Sequence, residues 1–76
     1  MSKADDYPVD SQMYYIEKLK ELGFKFTQSE FCTKGKMRVE LDFYPEMWST
    51  GEGESFEFTT FEEFHKQYLN HINKKP

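Results

Sequence analysis

A core built from this sequence has to be built mostly from rings. Eight Phe, five Tyr and one Trp outnumber the eight aliphatic side chains, Val9, Ile16, Leu19, Leu22, Val39, Leu41, Leu69 and Ile72. Each buried aromatic withdraws roughly 150–250 Å² from water, so a few rings replace many aliphatics. This decides between a folded domain and a disordered tail. Charged residues are 32% of the 76, yet the rings supply enough apolar area for one small, marginally stable core. The expectation is a flexible polar tail over residues 1–6 and a single domain over residues 7–76.

The spacing of apolar residues predicts the elements. Asp10 or Ser11 caps a first helix, with Val9 stapled onto Tyr14. Tyr15, Ile16, Leu19 and Leu22 share one helical face, Gly23 supplies the left-handed stop, and Phe24 folds back on Leu19. Phe24 to Thr33 reads as a strand with a fault, because Phe31 is out of phase with Phe24 and Phe26. A bulge near Thr27 to Ser29 restores the phase. Thr33-Lys34-Gly35-Lys36 reads as a turn. Met37 to Phe43 is the clearest strand, alternating apolar and charged at every step. Tyr44 to Glu54, with Pro45, Gly51 and Gly53, reads as a long loop, and Ser55 to Thr59 as a third short strand with Phe56 and Phe58 inward. At Thr60 the period changes to the helical one. Thr60-Phe61-Glu62-Glu63 is a capping box, and Phe61, Phe64, Tyr68, Leu69 and Ile72 form the buried stripe, with Lys74 and Lys75 complementing the carboxyl end.

The fold class that follows is α+β in the order α-β-β-β-α, a three-stranded antiparallel meander with both helices packed on one face. In element order and length this resembles the double-stranded RNA-binding domain. That family grasps phosphates with a Lys-Lys run at the start of its last helix. Thr59-Thr60-Phe61-Glu62-Glu63 stands there in this chain and repels them, so the resemblance implies a fold and not RNA binding.

Charge is distributed unevenly. Between Val39 and His65 lie Glu40, Asp42, Glu46, Glu52, Glu54, Glu57, Glu62 and Glu63, with no Lys or Arg. All ten basic residues and the other six acids lie outside that window, so the net charge of −4 is a −8 segment set against a +4 remainder. Such a field acts on partners and association rates more than on fold.

Catalytic, metal and cofactor chemistry find little support. His65 and His71 are six residues apart on one helix, not the adjacent i, i+4 pair of a chelate. His65 reads as a boundary residue and His71 as solvent-exposed. Cys32 is alone, beside a turn, and reads as a small edge residue rather than a nucleophile activated by Lys34 or Lys36. Gly51-Glu52-Gly53 puts a carboxylate where a glycine loop would cradle phosphate. No catalytic residue, metal or cofactor is expected, and the protein is expected not to be an enzyme. Lys34, Lys36, Arg38, Lys18 and Lys20 are too few for phosphate affinity at physiological salt, and Glu30 is expected opposite Arg38 if the turn is a three-residue type. With no leader-like apolar stretch at MSKADDYP and no run of about 20 apolar residues, the expected location is the cytoplasm.

The expected function is therefore a small acidic protein-binding module, an adaptor or inhibitor, of the kind a phage or mobile element directs at a host protein. Glu40, Asp42 and Glu57 should share the outer face of adjacent strands, where like charges destabilise by a few tenths of a kcal/mol or more unless a cationic partner surface faces them. Tyr44, Glu46, Met47, Trp48, Glu52 and Glu54 lie in the neighbouring loop, where Trp48 is either an interface anchor or part of the core. A nucleic-acid mimic that blocks the cationic groove of a DNA- or RNA-processing enzyme is the second expectation, and a basic-tipped RNA binder a distant third.

Overall fold

The computed structural model describes residues 3–42 and 44–74. Phe43 and Lys75, which the sequence reading placed in a strand and at a helix end, lie outside that range. Lys3–Asp6, expected within a polar tail, forms one 3-10 turn in which Ala4 is fully buried. Helix α1 spans Gln12–Glu21 and helix α2 spans Phe61–Lys74. Between them run β1 (Lys25–Gln28), β2 (Phe31–Lys34), β3 (Met37–Glu40), β4 (Glu46–Ser49) and β5 (Ser55–Phe58).

Each helix end has a local cause. Ser11 is the N-cap of α1, its hydroxyl accepting from the Tyr14 amide at 3.3 Å. At the other end Gly23 takes φ 98°, the Phe24 amide donates to the Leu19 carbonyl and the Gly23 amide to that of Lys20, both at 3.0 Å. This is the paired closure a left-handed glycine permits. Asp10 caps the other helix: held at φ 66°, its carboxylate accepts from the Phe61 amide at 2.8 Å, 51 residues away. The Thr60 hydroxyl accepts from the Glu63 amide at 3.1 Å, and Glu63 reaches back to the Thr59 amide at 2.8 Å, one residue earlier than expected. Val9 is 72% exposed, so no staple onto Tyr14 forms.

The α+β class holds, but the sheet has five antiparallel strands in the order β1-β2-β3-β4-β5 rather than three. Two misread segments account for the difference. The register does shift between Phe26 and Gln28, where the bulge was expected. The chain also reverses through Ser29 and Glu30, so that Gln28 pairs with Phe31 and Phe26 with Cys32, and one expected strand is two. The segment expected to be a long loop contains β4, in which Trp48 pairs with Val39 on one side and Phe56 on the other. Two more strands between the helices also remove the likeness in element order to the RNA-binding domain. In the β2–β3 turn Lys34 pairs with Met37, so Arg38 faces Thr33 and not Glu30.

Strand alternation sends Phe26, Cys32, Val39, Trp48 and Phe56 to one face, where the helices cover them. Phe64 of α2 sits in the middle, with ring centroids 5.2 Å from Phe58, 5.3 Å from Trp48, 5.6 Å from Phe61, 5.8 Å from Tyr68 and 6.1 Å from Phe24. The Trp48 indole N–H donates to Gln67 Oε1 at 2.8 Å, and Gln67 Nε2 donates to the Glu57 carbonyl at 3.1 Å. Lys34 also points to this face. Its ammonium donates to the Leu22 carbonyl and the Tyr68 hydroxyl, both at 2.7 Å, and so ties β2 to the end of α1 and to α2.

The expected α2 stripe is shorter than its spacing suggested, since Leu69 is 40% and Ile72 39% exposed. Leu69 lies about 100° round the helix from Tyr68. Ile72 instead lines an open recess with Lys34, Lys36 and His71. At Gly51 (φ 80°) a Cβ would come within 2.2 Å of the Lys36 carbonyl oxygen, so the β4–β5 turn can press against the β2–β3 turn only as glycine.

Asp10→Ala removes the cap on α2 and leaves a Cβ residue at positive φ, so we expect a loss of about 2 kcal/mol. Asp10→Asn keeps the acceptor oxygen and tolerates the left-handed backbone, and should lose less than half as much. Urea denaturation of the two variants checks both values.

Candidate functional site

The face turned away from the helices carries two transverse rows. One holds Gln28, Phe31, Glu40, Met47 and Glu57, and the other Lys25, Thr33, Arg38, Ser49 and Ser55. The acids fall in the first row and the bases in the second. Beyond the first row the chain turns twice at the same end of the sheet, once through Ser29 and Glu30 and once after Glu40. The Leu41 amide, donating to the Glu30 carbonyl at 2.8 Å, joins the two turns. A recess of about 280 Å³ lies there, lined by Gln28, Ser29, Glu30, Phe31, Glu40 and Asp42. Three acidic residues therefore line the recess together with half-buried Phe31, and none of its lining residues among those described is Lys or Arg.

The anticipated site residues divide into three groups. Glu40, Met47 and Glu57 are on the outer face, with exposed Asp42 just past β3 and Tyr44, 82% exposed, before the cis Tyr44–Pro45 bond. Glu40 and Glu57 are not on adjacent strands. β4 runs between them and puts Met47 opposite both, at roughly 9.5 Å carboxylate-bearing strand to strand. The expected like-charge penalty is relieved by this insertion, without a partner.

Glu52 and Glu54 are in the β4–β5 turn at the opposite end, where Glu52 Oε1 lies 3.5 Å from His71 Nε2. His71 is correspondingly half-buried instead of exposed, its ring 6.1 Å from Trp48. His65 takes the boundary place expected of it, stacked on Phe61 at 5.7 Å.

Glu46 and Trp48 belong to the inner face. Trp48 is 1% exposed and is a core residue, so it offers no anchor to a partner. Glu46 pairs with Phe58 and faces inward, and its Oε1 is buried with no hydrogen-bond partner. Burial pushes this carboxyl above its ordinary range, and the neighbouring Asp10 adds to the effect while a backbone hydrogen bond opposes it. Burial likewise raises the Tyr15 phenol, which donates to the Thr59 carbonyl at 3.0 Å.

Cys32 is fully buried on β2, inside the sheet rather than at its edge, and burial pushes its thiol up to about 12. Among the described residues no group of three or more His, Cys, Asp or Glu is arranged to hold a metal ion, and no helix is long and apolar enough to cross a membrane.

Glu30 and Phe31 were not anticipated as site residues. Both sit at the reversal that directly follows the register shift, and the Gln28-Ser29-Glu30 polar run is its signal in the sequence.

Two expectations follow from the buried groups. A carboxyl raised in the folded state favours folding fully below its unfolded value of 4.5, and that contribution is lost as pH rises through the folded value. The Glu46→Gln variant should therefore melt at the wild-type temperature near pH 4 and increasingly above it toward neutrality. Thermal melts across that range check this. Cys32 should resist a thiol reagent in the native protein at neutral pH and react completely once denaturant is added.

No protein-family model, curated protein or solved structure matches the chain. What the acidic end of the outer face can do is read from its own chemistry.

Proposed function

We propose that this protein is a non-enzymatic binding module, an adaptor or inhibitor, that docks the acidic end of its outer sheet face on a basic partner protein. The observation that carries the reading is the recess at the β1–β2 and β3–β4 turns, which Glu30, Glu40 and Asp42 line together with Phe31 and with no cation among them. A cationic side chain entering there meets three carboxylates and an aromatic ring. Met47, 37% exposed, and Tyr44 extend the apolar part of the surface. Tyrosine is a frequent interface anchor because it brings area and a hydroxyl at low entropic cost. Complementary charge of this kind speeds encounter and selects the partner more than it adds affinity.

Imitation of nucleic acid is the weaker reading. Phe31 and Met47 interrupt the carboxylates along the row, whereas duplex DNA offers an unbroken line of about one charge per 1.7 Å of axis.

Affinity capture from a cell lysate tests the proposal. The wild-type protein should retrieve a basic partner that elutes with salt. Glu40→Lys/Asp42→Lys should weaken that partner at least about tenfold, while Glu62→Lys on α2 should leave it unchanged. Equal retrieval by the charge-reversed double variant would show the docking surface to be elsewhere. Elution of the partner by duplex DNA would favour mimicry.

A further inference from the structure

The charges along β3 have a symmetry of their own. Lys36, Arg38, Glu40 and Asp42 occupy alternate positions and read plus, plus, minus, minus, with Met37, Val39 and Leu41 between them. Val39 is fully buried, so Arg38 and Glu40 point to the outer face, and Lys36 and Asp42 are exposed at the two ends of the strand. β3 is the middle strand of the five. Read backwards, the series becomes minus, minus, plus, plus, which is its own electrostatic complement. Among the described residues neither Arg38 nor Glu40 takes part in a salt bridge such as Lys20–Glu17, Lys66–Glu62 or His71–Glu52.

We propose that the outer sheet face binds a second copy of this chain across a two-fold axis that crosses β3 at Val39. Arg38 of each copy then meets Glu40 of the other. The axis runs across the strands and exchanges the two transverse rows. Phe31 then lies on Thr33 of the second copy and Met47 on its Ser49, a large side chain against a small one at each place. This is the isologous arrangement, in which one patch is complementary to itself.

Stacked sheets lie about 10 Å apart, a gap that an extended Arg and Glu close together, and they pack with strands within about 30° of alignment. The footprint is small. Five strands at about 4.8 Å and four residues at about 3.3 Å cover roughly 24 by 13 Å. That is well below the ~800 Å² per partner of a stable interface. Association is accordingly weak, reversible and suppressed by salt. It covers Glu40 and Asp42, so the second copy and a basic partner compete for one end of the face. The self-association does not depend on that partner's existence.

Sedimentation velocity at low ionic strength, over a concentration series up to that used for NMR, tests the proposal. Wild-type protein should move from monomer toward dimer as concentration rises and return to monomer in high salt. Arg38→Glu places four carboxylates around the axis, and Glu40→Arg places four cations there, so each variant alone should stay monomeric. An equimolar mixture of the two restores every ion pair and should form a heterodimer. The double exchange Arg38→Glu/Glu40→Arg, also self-complementary, should dimerise like wild type. Circular dichroism of each variant confirms that it is folded. The proposal is overturned if wild type is monomeric throughout, if either single variant dimerises as well as wild type, or if the mixture fails to associate.

Discussion

Phe64 is the ring on which the two layers of this small domain depend. Five other rings lie within 6.1 Å of its centroid, drawn from α2 itself, from β4 and β5, and from the segment that follows α1. The neighbours meet it at angles from 22° to 77°, so the cluster mixes stacked and edge contacts. With few aliphatic side chains available, removing this ring opens a space that none of its rigid neighbours is shaped to fill. Large-to-small changes at such a place cost about 3–5 kcal/mol, which is a large part of what a chain of this length has to spare.

Polar contacts then fix how the layers meet. Asp10 reaches from the segment before α1 to the first amide of α2, and Lys34 reaches from β2 to the carbonyl of Leu22, the C-cap of α1, and to Tyr68. Both are long-range and charged, and both end on helix termini, where unpaired backbone groups make such contacts worth most. They determine the direction in which the helices lie across the sheet. One sheet face is thereby left open, and the acids of the Val39–His65 window are distributed between that face, the two turn ends and the start of α2, with Glu46 alone among them turned to the inner face.

The helices were legible in the sequence because their signals are local. Ser11, Gly23 and the Thr60–Glu63 box act within one turn of the residues they terminate. The sheet was less legible for two reasons. Ser29 and Glu30 make a tight reversal without Gly, Pro or Asn directly after a register shift, so the bulge alone accounts for the phase change at Phe31 and hides the reversal. In β4 the usual alternation is inverted, with Glu46 inward and Met47 outward, so only Trp48 behaves as a core residue and the segment resembled a loop. The outer-face positions of Glu40 and Glu57 were readable from strand alternation alone. Their separation by a whole strand was not, because it depends on β4. Glu30 entered the acidic recess for the same reason, through a turn that cannot be placed without the pairing around it.

Gln67 has a bearing on how the sheet ends. The Thr50 amide bonds to the Glu54 carbonyl, so alternate pairs along β4 and β5 exchange hydrogen bonds and Glu57 lies at a position whose carbonyl points away from β4. The carboxamide of Gln67 occupies that carbonyl while its oxygen holds the Trp48 indole in the core. An edge strand with one of its outward acceptors taken is a poorer template for an incoming strand. The same side chain that positions the largest core residue thus works against templated, amyloid-like extension from β5. It does so only as long as Trp48 stays in place, so loosening the core there would also unmask the edge.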